Sequence, residues 1–168
     1  MAAIDAIIME IDQEAKTTQR VLERIPEDKL AWKPHPKSTS LGQLAIHIAI
    51  LQGRLAEIVQ KDSFDFGAAG PSLPPEPASK KEIMDGLSKS TADAKELLKK
   101  LDDSQLMEPW TLKKEGKVLM SMPRIGFIRA ILLNHTYHHR GQLSVYLRLL
   151  DVPVPSIYGP SADENPFG

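Results

Sequence analysis

The residues with the clearest chemical potential are histidines. The chain has five, and three of them, His135, His138 and His139, stand in the stretch LLNHTYHHRGQL at 132–143. If that stretch is helical, a rotation of about 100° per residue puts His135 and His139 within about 40° of each other, one turn apart along the axis. Two imidazoles so related can aim ring nitrogens at one point about 2.0–2.1 Å from each, the bonding distance of a divalent ion. Two ligands hold a metal weakly, so a third must come from another element. His47 is the candidate, because it lies on a second apolar stripe, one turn after Leu44 and one before Leu51. His35 sits in a proline-rich loop and is expected to be exposed. His138 falls at the edge of the stripe, where it would shield the site or face a neighbouring helix. The set His47, His135 and His139 would leave a coordination position open, as catalytic rather than structural zinc sites do. The competing reading makes each a hydrogen-bonded core residue. Burying three unpaired imidazoles together would then cost desolvation and, on protonation, repulsion. Types and spacing alone leave both readings open.

Four apolar-periodic segments must position these groups. In the first, Ile4, Ile7, Ile8, Ile11, Ala15, Val21 and Leu22 follow helical spacing, and Pro26 ends the segment near Ile25. Ser40 with Gln43 has the form of a capping box and opens a second helix with the stripe Leu41, Leu44, Ile48, Leu51, Leu55, Ile58 and Val59. Residues 62–78, rich in proline and glycine, read as a long crossover between helices or as a lid over a site. Ser79 with Glu82 opens a third helix through Ile83, Leu87, Ala94, Leu97, Leu98 and Leu101. Apolar residues on either side of KKEGK predict two short extended arms around a turn. A fourth helix should run from about 123 to 150, with Pro123 in its first turn and Ser121 or Met122 as its cap. On that helix Ile128, Ile131, Gln142, Tyr146 and Leu149 project to the side of His135, whereas Tyr137 and Arg140 project elsewhere. The expectation is one all-α domain over 1–168, a four-helix bundle with a short hairpin before the last long helix.

Composition narrows the function. Lys+Arg 21 against Asp+Glu 22 leaves a net charge of -1, so no global field recruits nucleic acid or anionic lipid. Cysteine is absent, which removes disulfides, thiolate metal sites and cysteine nucleophiles. The N-terminal MAAIDAIIMEIDQE carries Asp5 and Glu10 within its apolar stretch and reads as an amphipathic helix, not a signal peptide. No apolar run is long enough to span a bilayer. A cytoplasmic, soluble protein is expected. Neither HExxH nor the Glu-x-x-His pairs of di-iron bundles occurs around these histidines.

Taken together, LGQLAIHIA and NHTYHHRGQLSVYLRLLDVPVPSIYG resemble the DinB/YfiT-like family of metal-dependent bundles. The order and spacing carry the resemblance: one histidine in the second helix, His-x-x-x-His-Arg-Gly-Gln in the fourth, then a proline-containing tail ending near Tyr158. It implies a four-helix up-down-down-up bundle, a homodimer, and a divalent metal held by three histidines, which carry over to His47, His135 and His139. His138 has no ligand counterpart. Arg140, Gly141 and Gln142 match the residues after the motif's last histidine. Gly141 is expected to serve packing, and Gln142 to hold either a metal-bound water or a ligating imidazole.

The resemblance also implies chemistry on a small-molecule substrate. Some relatives transfer low-molecular-weight thiols such as bacillithiol to electrophiles, and a mycothiol-dependent isomerase belongs to the wider superfamily. An open metal held by three histidines can render a thiol nucleophilic at neutral pH, and the same centre acting on water would give hydrolysis. Thiol transfer is therefore the first reading. A hydrolase, a metal-binding stress or detoxification protein, or a non-catalytic dimerising bundle are the alternatives. Nickel or zinc leads among the metals, with iron or manganese also compatible. No general acid or base can be assigned. Tyr146, on the histidine side of the fourth helix, reads as core. Trp32, Trp110 and Tyr158 read as cover for a bundle end rather than as the lining of an entrance.

Overall fold

Ser40 marks the start of the helix that carries His47. Its hydroxyl accepts the Gln43 N–H at 3.1 Å and donates to the Glu76 carboxylate at 2.7–2.8 Å. This satisfies one of the otherwise orphaned amides of a helix N-terminus. Ser79 does the same for the third helix, accepting the Glu82 N–H at 3.2 Å. The computed structural model describes residues 2–67 and 73–167. Of the stretch 62–78, read from sequence as crossover or lid, residues 68–72 lie outside the described residues. The elements are α1 (Ala3–Leu22), a 3-10 turn (Glu27–Lys29), α2 (Leu41–Val59), β1 (Ser63–Asp65), α3 (Lys80–Leu98), α4 (Asp103–Met107), β2 (Pro109–Lys114) and β3 (Lys117–Pro123). A continuous helical run closes the chain: α5 (Arg124–Phe127), a π-helical segment (Ile128–Leu133) and α6 (Asn134–Leu149). Around the bundle, α1 and α2 each pack against both α3 and α6. No helix among the described residues is long and apolar enough to cross a membrane.

The expectation of an all-α chain needs correction. The predicted arms do form a hairpin, but it belongs to a three-stranded sheet of order β1-β2-β3, with β1 parallel and β3 antiparallel to β2. The third strand comes from the stretch read as irregular. Asp65 explains its attachment. Its carboxylate accepts the Glu115 and Gly116 amides of the hairpin turn at 2.9 and 2.7 Å, and the Gly67 amide at 3.0 Å. Both turn residues have positive φ, 49° at Glu115 and 78° at Gly116, as a two-residue hairpin loop of this hand requires. The strand also runs farther than expected. Ser121 and Met122 lie in β3, and Pro123 is the N-cap residue of α5 rather than part of its first turn.

The last helix departs from a straight projection for a local reason. The Asn134 N–H reaches the Arg129 carbonyl, five residues back, so the π segment spends extra residues on its turn and shifts the phase of α6. The buried stripe consequently runs through Ile128, Leu132, Thr136, Arg140, Leu143 and Leu147, while Leu149, expected inside, is exposed. The histidines fall at the border of that stripe instead of its centre.

Two apolar clusters fill the bundle. One holds Ile4–Ile11 of α1, Leu51–Val59 of α2, Trp110, Phe127 and Leu132; the other holds Val21 and Leu22, Leu41–Ala49 and Leu143 with Leu147. Between them the helices bury polar groups: Glu14 and Thr18 on α1, His47 and Gln52 on α2, Ser90 on α3, Thr136 and Arg140 on α6. A polar layer therefore crosses the bundle at mid-height. The candidate site lies in it.

Candidate metal centre

α2 supplies His47, which is 8% exposed, and α6 supplies His135 and His139, both half-buried. The structure brings these three together. Each offers a ring nitrogen, and the three nitrogens lie within 4.8 Å of one another. Nε2 of His135 and Nε2 of His139 are 2.6 Å apart. Ring centroids are 4.7 Å apart for His47 and His139 and 5.5 Å for His47 and His135. The group comprises these residues alone among the described histidines and carboxylates.

All three rings favour the neutral form that coordinates metals. Burial pushes His47 down to about 4, helped by the positive potentials of His139, His135 and Arg54. His135 is lowered by burial and then by His139 and His138. Burial likewise lowers His139, against a raising effect of its bond to Gln142. That bond joins His139 Nδ1 to Gln142 Oε1 at 2.6 Å. An amide oxygen can only accept, so His139 carries its proton on Nδ1 and keeps an Nε2 lone pair facing the group. A ligating histidine held through its other nitrogen is the usual support of a metal site. The donor set, its protonation and its partial openness fit a divalent ion.

Other residues singled out from sequence lie elsewhere. His138 is exposed, with its ring 5.0 Å from that of His139. His35 is exposed in its loop, where Nδ1 accepts the Lys37 N–H at 3.2 Å. Gly141 faces open space, so the packing expected of it has no counterpart among the described residues. Tyr146 donates to the Thr39 carbonyl at 3.3 Å and meets Trp32 edge-on. Trp110 is fully buried against Phe127, a core position rather than a bundle-end cover.

Sequence reasoning missed the role of Arg140. It is 1% exposed, beside His139 but on the α1 side of α6. Its guanidinium donates to the Glu14 carboxylate at 2.6 Å, the Glu14 carbonyl at 3.2 Å, Thr18 Oγ1 at 3.1 Å and the Tyr158 hydroxyl. Tyr158 in turn donates to Glu14 at 2.7 Å, and its hydroxyl is pushed up to about 12, chiefly by burial. This network ties α6 to α1 and to the C-terminal tail. Tyr158 thus reads as a tail anchor, exposed as a residue but with its hydroxyl held in the Arg140–Glu14 network.

A helical bundle that directs three neutral imidazoles to one point from two helices is a class of potential metal-binding protein. The sequence profile of the DinB superfamily matches residues 10–143, and the chain belongs to that superfamily. The protein YrdA of Bacillus subtilis (strain 168), itself uncharacterized, is 28% identical over 162 residues, 96% of this chain and 91% of YrdA. Two crystal structures share the fold. A DinB-like protein from Bacillus cereus ATCC 10987 is 24% identical with a TM-score of 0.71, covering 92% of this chain and 97% of its own. The DinB-like protein YjoA from Bacillus subtilis is 18% identical with a TM-score of 0.66, covering 95% of this chain and 98% of its own.

Proposed function

We propose that this protein is a divalent-metal-dependent enzyme with His47, His135 and His139 as ligands, transferring a low-molecular-weight thiol to an electrophilic small molecule. The observation that carries the reading is the convergence of three neutral imidazoles with no fourth histidine or carboxylate joining the group among the described residues, at a border where two of them remain half-exposed. A closed four-ligand set would favour a structural role. Imidazole ligands suit zinc and nickel first, with iron or manganese as further candidates.

A bound divalent ion would supply Lewis acidity, making a thiol available as thiolate near neutral pH. The chain's own residues do the rest. His47, buried on α2, fixes one side of the site. Gln142 holds the Nδ1 proton of His139 and so aims its Nε2 inward. The apolar residues around His47, such as Leu44, Ile48 and Leu51, keep water from the inner side. The chain is further read as a single domain over 1–168 and as a homodimer in the cytoplasm. The exposed Val145 and Leu149 of α6 are consistent with a partner subunit.

The test is to incubate zinc- or nickel-loaded protein with a low-molecular-weight thiol and a bromobimane electrophile, and to follow the thioether by mass spectrometry. Adduct formation above the uncatalysed rate, abolished in His135→Ala, is expected. No thioether, together with hydrolysis of a p-nitrophenyl ester by the same metal-loaded protein in a parallel assay, would replace transfer by hydrolysis.

A further inference from the structure

The side of α6 that meets the core is offset by one residue from the side that a straight helix would bury. Continued from Ile128 at about 100° per residue, the helix would turn Ile131, His135, His139, Gln142 and Tyr146 inward. The buried positions are instead Leu132, Thr136, Arg140, Leu143 and Leu147, each one place later in the chain. The π segment absorbs that one residue. Two phases of α6 therefore compete. Without the π turn, His135 and His139 would take the buried places of Thr136 and Arg140, and Arg140 would take the exposed place of Gly141. The histidines would then lose the opening that half-exposure gives them.

The apolar exchange between the two phases is small, because Ile131 and Tyr146 would enter as Leu143 and Leu147 turn outward. Arg140 decides between them. A guanidinium is strongly unfavourable in a core unless a counter-charge and acceptors meet it there. Glu14 of α1, 4% exposed, supplies the charge and two of the acceptors, its carboxylate and its carbonyl. Thr18 and Tyr158 complete the set.

We propose that Glu14 is a positioning residue of the histidine site: through Arg140 it fixes the phase of α6 that keeps His135 and His139 at the border of the core, converging on His47. The proposal rests on the reading of the histidines as a metal centre. Glu14 does not belong to the ligand group itself. Its influence passes through Arg140, the residue next to His139, and the π turn is the element that can exist in either form. Removing the carboxylate leaves Arg140 a cation without its counter-charge, which favours the phase that turns it to solvent.

The experiment has two readouts on the full-length protein. Zinc affinity is measured by competition with a chromophoric chelator. Carbethoxylation of His135 and His139 by diethyl pyrocarbonate is followed in the metal-free protein by mass spectrometry. Glu14→Leu is expected to lower zinc affinity by about tenfold or more, since the competent phase becomes a minor population. It should also slow modification of both histidines as they turn inward, whereas mere loosening of the fold would speed it. Adding Arg140→Met should bring both readouts back toward wild type, because an apolar side chain at 140 again prefers the buried place. Glu14→Gln keeps an acceptor for Arg140 and carries the same test at smaller amplitude if Glu14→Leu does not fold. Wild-type zinc affinity in Glu14→Leu, unslowed carbethoxylation, or a double variant as weak as the single one would overturn the proposal while leaving the metal centre in place. A wild type that binds no zinc would remove the metal-centre reading and this proposal together.

Discussion

Gln142 and His139 are joined at 2.6 Å, amide oxygen to Nδ1, one turn apart on the exposed side of α6. That contact fixes which nitrogen of His139 faces His47 and His135. It is a local, helix-borne device, independent of the core packing that holds the bundle. Gln142→Ala should therefore lower zinc affinity about 10–100-fold while leaving the melting temperature of the metal-free protein nearly unchanged. Competition with a chromophoric chelator measures the first and thermal unfolding the second. An affinity equal to wild type would remove Gln142 from the site.

The histidine group predicts a stability loss in mild acid for the metal-free protein. His47 falls from 6.5 in the unfolded chain to about 4 when folded, mainly through burial. Below pH 6.5 the unfolded state binds this proton more readily, so the stability present above that pH is lost as pH falls toward 4. The full difference is on the order of 3 kcal/mol. Urea unfolding from pH 7.5 to about 4.5 should show this slope, and His47→Gln should flatten it. A slope unchanged in the variant would mean that His47 does not titrate as argued.

Arg140 and Glu14 form an ion pair buried on both sides. Arg140→Met leaves the carboxylate uncompensated and should cost about 3–5 kcal/mol, whereas pairing it with Glu14→Leu should recover much of that loss. Urea midpoints of the two single variants and the double variant test the claim. A double variant no more stable than Arg140→Met would contradict it.

At the hairpin, Glu115 holds φ at 49°, a conformation that costs a non-glycine residue energy. Asparagine tolerates it better and favours this turn. Glu115→Asn should stabilise the protein by about 0.5 kcal/mol. An unchanged or lower urea midpoint would argue that the Glu115 side chain makes a compensating contact.

The histidine triad is legible in the sequence because its information is local: one i, i+4 pair on one helix and one histidine on the stripe of another. The caps at Ser40 and Ser79 and the hairpin around KKEGK are legible for the same reason. Two features are not. The π segment has no side-chain signature in IRAILL, yet its widened turn shifts the phase of α6 and moves the histidines from the centre of the buried stripe to its border. Arg140 looks like a surface residue because its partner Glu14 is 126 positions away. Charged residues join a core only in pairs, and one sequence does not announce the pairing. The strand Ser63–Asp65 is hidden similarly, since its three residues gain order from the amides of a distant turn.

The metal centre is tested most simply by elemental analysis of untagged protein, purified without a metal column, alongside His135→Ala and His139→Ala. Near one equivalent of a divalent transition metal is expected in the wild type, with its loss from both variants. A metal-free wild type whose melting temperature ignores added zinc, nickel and manganese would contradict the three-histidine site, because an ion bound by the folded state must stabilise that state.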